Sequence, residues 1–500
     1  MLKEDGTILL GKAGDKEVVL YPSMLNRHGL IAGATGTGKT VTLKVIAESL
    51  SELGVPTVIA DVKQDLSGMI VEGDMDGISG RLESMGINDY STRKYPVHFF
   101  DVYGKTGHPL RARMQDMGPL LLSQIMDLSD AQAGVLNIIF KAAEDMELDI
   151  IDLKDLQAMT QYVGEHASDM SLKYGNVAKQ SVGAIQRKLL ELENEGADSF
   201  FGMPSIAVED WMETEGKLGI MNIIECQELF QHPHLYAIFL YWMLKQLQKN
   251  LPEEGDMEKP KIVFFFDEAH LLFDEAPKKL LEAIEQTVKL IRSKGVGIFF
   301  CTQTPADIPG DVLAQLGNRI QHSLRAYTPA EIKAAKMAAE SFRQNPELDV
   351  VNEISNMKTG TALVSVLDAD GAPTIVEKTK ILPPRSSMEK AADERIESCI
   401  ENDSIYGKYE KVIDPESAYE AMDDLHEQEE KEKQEAAEEK ARAKEEAARE
   451  KAEARAKAKE EEYKKNWDKR LKRKAANKIE NEVMNAGIRS ARKFLKNLLK

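Results

Sequence analysis

The sequence contains few cysteines, few aromatic residues and no long apolar run. Its three cysteines, Cys226, Cys301 and Cys399, are far apart and include no CxxC pair. This spacing excludes a disulfide framework and a cysteine zinc site, and it suits the reducing cytoplasm. No apolar run approaches the roughly 20 residues that span a bilayer, and no charged-then-apolar leader opens the chain. We therefore expect a cytoplasmic protein without a transmembrane segment.

Positive charge is scarce as well. The 500 residues include 65 Lys and Arg against 84 Asp and Glu, which gives a net charge of −19. Because affinity for nucleic acids comes largely from Lys and Arg, this balance weighs against a nucleic-acid-binding protein. The deficit is uneven, however, since residues 463–500 carry +10 and the first 462 residues carry −29. A local basic surface is therefore compatible with the sequence.

Short apolar runs alternate with helical spacing up to about residue 385. The runs are continuous rather than alternating, which is typical of buried strands in a parallel sheet covered on both faces. They include TVIAD, VHFFDV, KIVFFFDE and VGIFFCTQ. Strand signals fade between Gly118 and Asp210, where the apolar spacing is helical. The pattern predicts an α/β domain with a mostly parallel sheet that carries a helical insertion.

Composition divides the chain into six predicted segments. Two prolines in ILPPRSS end the folded part, and Glu, Lys, Arg and Ala dominate from about Pro415 onward. Pairs such as Glu438–Arg442 favour a helix there, but apolar heptad positions are mostly Ala, which disfavours a coiled coil. The segments are 1–117 and 211–385 (the two parts of the α/β core), 118–210 (helical insertion), 386–414 (linker), 415–486 (charged helical or disordered spacer) and 487–500 (basic amphipathic helix).

The strongest motif is GATGTGKT, which matches the phosphate-binding pattern G-x-x-x-x-G-K-[ST] in full. An apolar run precedes it and an amphipathic helix follows, as a phosphate-binding loop requires. Its glycines run G-x-x-G-x-G, and this spacing excludes a Rossmann dinucleotide loop. We expect Lys39 to reach the β- and γ-phosphates and Thr40 to ligate Mg²⁺. The predicted nucleotide-binding residues are Gly33, Ala34, Thr35, Gly36, Thr37, Gly38, Lys39, Thr40 and Val41.

KIVFFFDEAH supplies a second half-site. Its apolar residues predict a buried strand that ends at Asp267 and Glu268, and α/β sheets bind ligands at this end of their strands. We expect Asp267 to hold Mg²⁺ and Glu268 to polarise the attacking water, as in a nucleoside triphosphatase rather than a kinase. An acidic pair that only caps the next helix is the competing interpretation.

GVGIFFCTQTP predicts a further strand that ends at Gln303, whose side chain can reach the γ-phosphate or the lytic water. A turn residue before Pro305 is the alternative. A strand between the two phosphate motifs, with Glu directly after Asp, is typical of RecA-like P-loop enzymes.

No second RecA-like lobe is expected after Arg385, so an arginine finger would have to come from another subunit. This requirement predicts a ring of about six subunits. The preferred arginines are Arg292 and Arg319, with Arg325 as a further candidate. A structural role or a local phosphate-sensing role remains open for each of them.

The motifs resemble a known group of ring ATPases, the HerA/FtsK superfamily. The resemblance rests on HGLIAGATGTGKT, FFFDEAH, IRSKGVGIFFCTQTPADIP and LAQLGNRIQHSLRA. Residues 1–415 and the last fourteen are more closely similar to the bacterial HerA-like family, on ADVKQDLSGM, GHPLRARMQDMGPLLLSQIMDL, GNRIQHSLRAYTP and GIRSARKFLKNLL. The resemblance implies a hexameric RecA-like ATPase that uses ATP and Mg²⁺, with Lys39, Thr40, Asp267, Glu268 and Gln303 in the roles given above and Arg292 and Arg319 at the subunit interface.

Members of the superfamily pump or process double-stranded DNA, often beside a nuclease. HerA itself carries a β-barrel before the phosphate loop, whereas only 32 residues precede the loop here. The winged-helix DNA reader of FtsK is also missing. These departures put the docking of a nuclease partner in doubt.

Three functions remain open at this stage. The first is a ring ATPase that translocates on double-stranded DNA. The second is an ATP-driven assembly or remodelling factor whose tail recruits a protein partner, and the third is a slow ATPase switch. The terminal helix could contact a membrane surface, nucleic acid or protein.

Overall fold

The computed structural model describes residues 1–255, 257–274, 277–325 and 327–499. Ala326, which belongs to the quoted GNRIQHSLRA motif, and Lys500, the last residue of the predicted terminal helix, lie outside the described residues. The chain divides into two compact units, Met1–Met422 and Asp423–Lys500.

A twelve-stranded sheet forms the centre of the first unit, in the order β2-β1-β14-β13-β12-β3-β11-β10-β4-β9-β5-β6, and β7 and β8 form a separate pair. The strands are β1 (Ile8–Ala13), β2 (Lys16–Leu20), β3 (Gly29–Ala32), β4 (Thr57–Asp61), β5 (Val97–Asp101), β6 (His108–Pro109), β7 (Thr214–Glu215), β8 (Leu218–Gly219), β9 (Met221–Glu225), β10 (Ile262–Phe266), β11 (Val296–Thr302), β12 (Asn318–His322), β13 (Thr361–Ser365) and β14 (Glu377–Ile381).

The sheet is parallel from β12 to β6 and antiparallel from β12 to β2. Every residue of β10 and β11 is buried, as the continuous apolar runs predict for strands covered on both faces. β11 lies between β3, which leads into the phosphate loop, and β10, which leads to Asp267. The predicted RecA-like fold is confirmed, including the strand between the two phosphate motifs.

Helices cover the sheet, and six of those in the described residues, α3 to α8, fall in the region of the predicted insertion. Capping boxes at Ser129 and Asp152 begin two of them. The helices are α1 (Lys39–Glu52), α2 (Met75–Ser84), α3 (Met114–Ile125), α4 (Asp130–Asp145), α5 (Leu153–Glu165), α6 (Ala167–Tyr174), α7 (Lys179–Asn194), α8 (Ala197–Phe200), α9 (Pro233–Asn250), α10 (His270–Asp274), α11 (Lys278–Ile291), α12 (Gly310–Leu313), α13 (Pro329–Glu340), α14 (Val350–Asn356), α15 (Asp393–Glu401) and α16 (Ala418–Leu498).

The sequence predicts residues 386–414 as a linker, but they belong to the first unit and pack against the rest of it. We call these residues the strap. Asp403 accepts hydrogen bonds from His98 Nδ1 at 2.7 Å and from His108 Nε2 at 3.1 Å. The strap residue Tyr409 is 1% exposed, and its hydroxyl contacts Asp210. Many residues of the strap make polar contacts. Its composition is therefore as polar as that of an unpacked linker and does not indicate that the strap is packed.

The spacer and the terminal helix are one continuous helix, α16, of 81 residues. Ion pairs at i,i+4 spacing support it, including Lys464–Glu460 at 2.9 Å and Arg442–Glu438 at 3.6 Å. The helical alternative for the spacer is therefore the one observed, and Gly487 does not interrupt it. Within the described residues, no helix has both the length and the apolar character needed to cross a bilayer.

Replacing Asp403 by Asn should loosen the strap. The side chain of Asp403 is 3% exposed and that of His108 is fully buried. Losing one partner of a buried ion pair costs about 3 kcal/mol of unfolding free energy, which denaturant unfolding followed by circular dichroism can measure. Glu401→Asn, on the exposed end of α15, is the matched control and should leave the stability nearly unchanged.

The unfolding free energy that Asp403→Asn loses should also depend on pH. Burial opposes both shifts, but the hydrogen bonds hold the pKa of Asp403 well below its usual range and raise the pKa of His108. The contribution of Asp403 to the free energy of unfolding is present above about pH 4. The contribution of His108 is present below about pH 6.5 and is lost as the pH rises through its raised pKa. The stability difference between wild type and Asp403→Asn should therefore be largest between these values. A constant difference from pH 4 to 9 would contradict the ion pair.

Candidate active site

The predicted phosphate-loop, acidic and glutamine residues meet at one edge of the sheet because the parallel strands end there together. Ala32 at the end of β3 is paired with Thr302 at the end of β11. Phe266 at the end of β10 is paired with Ala60 of β4. The phosphate loop, the acidic pair and Gln303 therefore follow neighbouring strands at the same edge.

The backbone of the phosphate loop is shaped by its glycines. Gly36 and Gly38 have φ values of 78° and 113°, in the left-handed region that favours glycine. A Cβ at Gly33 would lie 2.5 Å from the Cβ of His322, so the close approach of β12 also requires glycine. Helix α1 begins directly after Gly38, with no side-chain cap and no acidic residue in its first turn. Its first N–H groups and the helix dipole are therefore available to phosphate.

Lys39 lies inside this loop. Its side-chain ammonium donates a hydrogen bond to the carbonyl oxygen of Gly33 at 2.6 Å, and the residue is 6% exposed. Burial lowers the pKa of Lys39, while the nearby Glu268 opposes that shift. A phosphate group in the loop would supply the strong anionic partner that the carbonyl replaces only in part.

Thr40 and the carboxylate of Asp65 bring oxygen ligands suited to Mg²⁺ together. The Thr40 hydroxyl donates to Asp65 Oδ2 at 3.2 Å, which leaves the hydroxyl lone pairs free for a cation. Burial raises the pKa of Asp267 to about 6, and burial with the nearby Asp65 raises that of Asp61 to about 7. This excess of buried negative charge fits a divalent cation.

A metal site made of protein ligands alone is not present in the described part of the chain. No group of three or more His, Cys, Asp or Glu side chains there could hold an ion. Mg²⁺ usually takes one or two carboxylates and completes its shell with phosphate oxygens and water. Thr40 and Asp267 therefore fit Mg²⁺ that arrives together with a nucleotide.

Glu268 follows the strand in a strained backbone conformation, with φ of 47°. Its Oε1 is ion-paired with the ammonium of Lys63, and its buried Oε2 lies 3.4 Å from His270 Nδ1 without a hydrogen bond. Burial acts to raise the pKa of Glu268, but Lys63 and Lys39 hold it below the usual value. The side chain is ionised at neutral pH and can accept a proton once one oxygen is free.

Gln303 is exposed and follows β11 directly, between the phosphate loop and Asp267 in the sheet. This position is compatible with the predicted contact to γ-phosphate or water. Thr304 begins a short capped turn with Asp307, which fixes the chain after Gln303. The sensing role of Gln303 stays a prediction.

The predicted arginines lie away from this edge. Arg292 is exposed and precedes β11, at the amino-terminal edge of the sheet. Seven residues of β11 separate that edge from Gln303, or roughly 20 Å at about 3.3 Å per residue. Arg319 donates to the carbonyl oxygens of Leu316, Ser341 and Leu313 at 3.0 to 3.1 Å. Neither contacts the phosphate loop of its own chain, and their roles between subunits stay predictions.

Three contacts of the site were not assigned from the sequence. Lys63 and Asp65 lie in the loop after β4 and contact Glu268 and Thr40. His322 ends β12 and its Nε2 contacts the Thr42 hydroxyl at 2.8 Å. The available signal was the charged residues that directly follow the apolar run TVIAD, at the same edge of a parallel sheet.

Comparison with known proteins identifies the family. The model of the helicase HerA-like C-terminal family matches residues 7–499. The chain belongs to this family. Together with the phosphate loop and the Asp–Glu pair at one sheet edge, membership makes this HerA-like chain a P-loop ATPase.

Curated relatives share the HerA name. The chain is 21% identical over 382 residues to the DNA double-strand break repair helicase HerA of Sulfurisphaera tokodaii, over 72% of this chain and 67% of the relative. It is 22% identical over 371 residues to the protein of the same name from Saccharolobus solfataricus, over 72% and 66%. The HerA-like chain thus spans about two thirds of these relatives.

Two solved structures share the fold of this chain. One is the bacterial conjugative coupling protein TrwB, at 16% identity and a TM-score of 0.49 over 76% of this chain and 92% of that one. The other is VirB4 of Thermoanaerobacter pseudethanolicus, at 16% identity and a TM-score of 0.49 over 76% and 97%.

Glu268→Gln should separate binding from hydrolysis. The amide keeps the shape of the side chain but cannot accept the proton of water, so we expect turnover to fall by about 10²–10⁴-fold with ATP affinity nearly unchanged. Phosphate release and equilibrium nucleotide binding measure the two quantities. Glu17→Gln, in an exposed ion pair with Lys3, is the matched control. Turnover near the wild-type rate would refute the role of Glu268.

Proposed function

We propose that this HerA-like chain is a Mg²⁺-dependent ATP hydrolase that works as a ring-shaped motor on double-stranded DNA. The observation that carries the proposal is the convergence of Lys39, Thr40, Asp267 and Glu268 at one sheet edge. We place the protein in the cytoplasm, since its cysteines are all free, as is usual in a reducing compartment.

In the proposed reaction each side chain has one task. The loop amides and Lys39 bind and orient the β- and γ-phosphates, and Thr40 and Asp267 hold Mg²⁺, which neutralises phosphate charge when bound. Glu268 orients the attacking water and accepts its proton. Gln303 contacts that water or the γ-phosphate and reports which nucleotide is present.

The position of Arg292 supports a site shared between subunits. An exposed guanidinium at the amino-terminal edge cannot reach its own phosphate loop, but it can face the loop of a neighbouring copy in a head-to-tail ring. A hexamer is the number that the family resemblance implies. Arg319 is engaged by three carbonyl oxygens, so we assign it the support of the local backbone rather than the finger itself.

The DNA part of the proposal rests on two observations. The curated relatives are named DNA double-strand break repair helicases. Helix α16 also carries a basic second half, since residues 463–500 have a net charge of +10. Four of its exposed basic residues share one helix face, namely Lys465, Lys469, Lys472 and Arg473. Such a face suits the phosphate backbone.

A protein partner for the tail is the second candidate, and it also rests on a specific observation. Ile488, Leu495 and Leu498 are 50%, 61% and 71% exposed along one side of α16. An exposed apolar stripe of this kind is typical of a surface that docks on another protein. The chain would then be an ATP-driven assembly factor or a slow switch.

Double-stranded DNA should stimulate the ATPase, and the basic face should contribute to binding. Changing all four residues of this face to Gln should reduce the slope of log K against log salt concentration for duplex binding by about 3.6, since each lost phosphate contact accounts for about 0.9. Fluorescence anisotropy over a salt series measures this slope.

The matched control changes four basic residues in the acidic half of α16 to Gln, namely Lys431, Lys433, Lys440 and Arg442. These changes should leave the slope unaltered. Absence of both ATPase stimulation and salt-dependent duplex binding in the wild type would refute the DNA motor and favour the protein-directed function.

Mixing two inactive variants tests the shared site. Arg292→Ala removes the proposed finger, and Lys39→Ala removes nucleotide binding, so each alone should have little ATPase activity. In a mixed ring, an intact loop on one subunit can meet Arg292 of a Lys39→Ala neighbour, and activity should return partly. Arg27→Ala mixed with Lys39→Ala serves as the control. No recovery in mixed assemblies of confirmed composition would contradict a finger at Arg292.

A further inference from the structure

The loop after β4, residues 62–66, contacts both halves of the hydrolytic site. Its Lys63 is ion-paired with Glu268, and its Asp65 accepts the Thr40 hydroxyl hydrogen bond at 3.2 Å. Asp61 anchors the loop by accepting the backbone N–H groups of Lys63 at 3.1 Å and Leu66 at 3.0 Å. Asp65, which contacts Thr40, is therefore only two residues from Lys63, which contacts Glu268.

The Lys63 ammonium lies where the site needs positive charge. Burial opposes its charged form, but Asp267, Glu268 and Asp65 together raise the pKa of Lys63. Glu268 contacts this ammonium directly, and Asp267 and Asp65 act on it electrostatically. The latter two belong to the oxygen cluster that fits Mg²⁺. Lys63 therefore supplies charge balance that the site would otherwise obtain from a divalent cation.

The Lys63–Glu268 contact is unfavourable for catalysis. A general base needs a free lone pair aimed at water, yet Lys63 occupies Glu268 Oε1, and Oε2 is buried. The ion pair also weakens the carboxylate as a base. Both sides of the contact carry left-handed backbone, with φ of 47° at Glu268 and 57° at Gln64 beside Lys63.

The Lys63 side chain is much more exposed than that of Glu268. The Lys63 side chain is 37% exposed and has a long flexible stem, while that of Glu268 is 7% exposed. The strap adds a second hold on the loop, because Lys390 donates to Gln64 Oε1 at 3.1 Å. Lys63 is therefore the partner of the ion pair that can turn toward solvent with fewer lost contacts.

We propose that Lys63 is a positioning residue that ties up Glu268 in the nucleotide-free protein and gives it up when Mg²⁺ and ATP bring positive charge to Thr40 and Asp267. The proposal rests on the proposed role of Glu268 in hydrolysis. The ion pair would then leave Glu268 available as a base only when both Mg²⁺ and ATP are bound, which limits ATP hydrolysis in an incompletely assembled site.

Lys63→Met tests the proposal, because methionine keeps an unbranched side chain and removes the charge. Mn²⁺ binding in the presence of ADP, followed by electron paramagnetic resonance, reports on the cation site without any turnover. We expect binding to tighten by about tenfold, the effect of losing one nearby like charge. Basal ATP turnover should rise several-fold, and the stimulation ratio with duplex DNA should fall.

Two controls accompany this variant. Lys63→Arg keeps the charge and should retain wild-type Mn²⁺ affinity. Lys3→Met removes a lysine from the exposed Lys3–Glu17 ion pair and should change neither measurement. Thermal melting of each variant, with and without ADP and Mn²⁺, confirms that folded proteins are compared.

Unchanged Mn²⁺ affinity in folded Lys63→Met would overturn the proposal, as would a fall in turnover like that of Glu268→Gln. The two failures can be told apart. If the wild type does not hydrolyse ATP, the proposed function fails, while the Mn²⁺ measurement still shows whether Lys63 balances the acid cluster.

Discussion

Charge balance at the carboxyl edge of the sheet is the constraint on which the site depends. Asp61 and Asp267 end neighbouring strands, and burial raises the pKa of the former to about 7 and that of the latter to about 6. Two ammonium groups, those of Lys39 and Lys63, lie among these acids. A divalent cation would favour the charged forms of these buried acids, which makes the edge a suitable site for a metal nucleotide.

The fold brings these charges together through strand order. Because β11 separates β3 from β10, the phosphate loop and Asp267 are one strand apart, and Gln303 follows the strand between them. The acids emerge from fully buried strands, so their backbone positions are fixed by packing on both sheet faces. The loop after β4 is the adaptable part, since it combines an exposed lysine with anchors at Asp61 and Leu66.

Features carried by local patterns could be predicted from the sequence. The spacing of Gly33 and Gly38 specifies the phosphate loop, and the apolar run before Asp267 specifies a strand that ends in an acid. The strap could not be predicted, because its partners are far away along the chain. His98 and His108, for example, lie some 300 positions from Asp403. Lys63 was missed for the same reason, since its partner Glu268 is 205 residues distant.

Arg319 shows a further limit of pattern reasoning. The sequence predicts a role for it at the subunit interface, whereas its guanidinium donates hydrogen bonds to three carbonyl oxygens of its own chain, so the interface role stays a prediction. These hydrogen-bond partners of Arg319 can be identified only in the three-dimensional structure. The other preferred arginine, Arg292, is exposed at the edge opposite to the site, which fits our proposal of an ATPase site that a second copy completes.

The most direct test of that claim is the ATPase rate per chain as a function of protein concentration, with the assembly state followed by mass photometry on the same samples. We expect the ATPase rate per chain to be low for the monomer, to rise as subunits associate and to level off once rings have formed. A rate per chain that stays constant from monomer to assembled protein would contradict the claim.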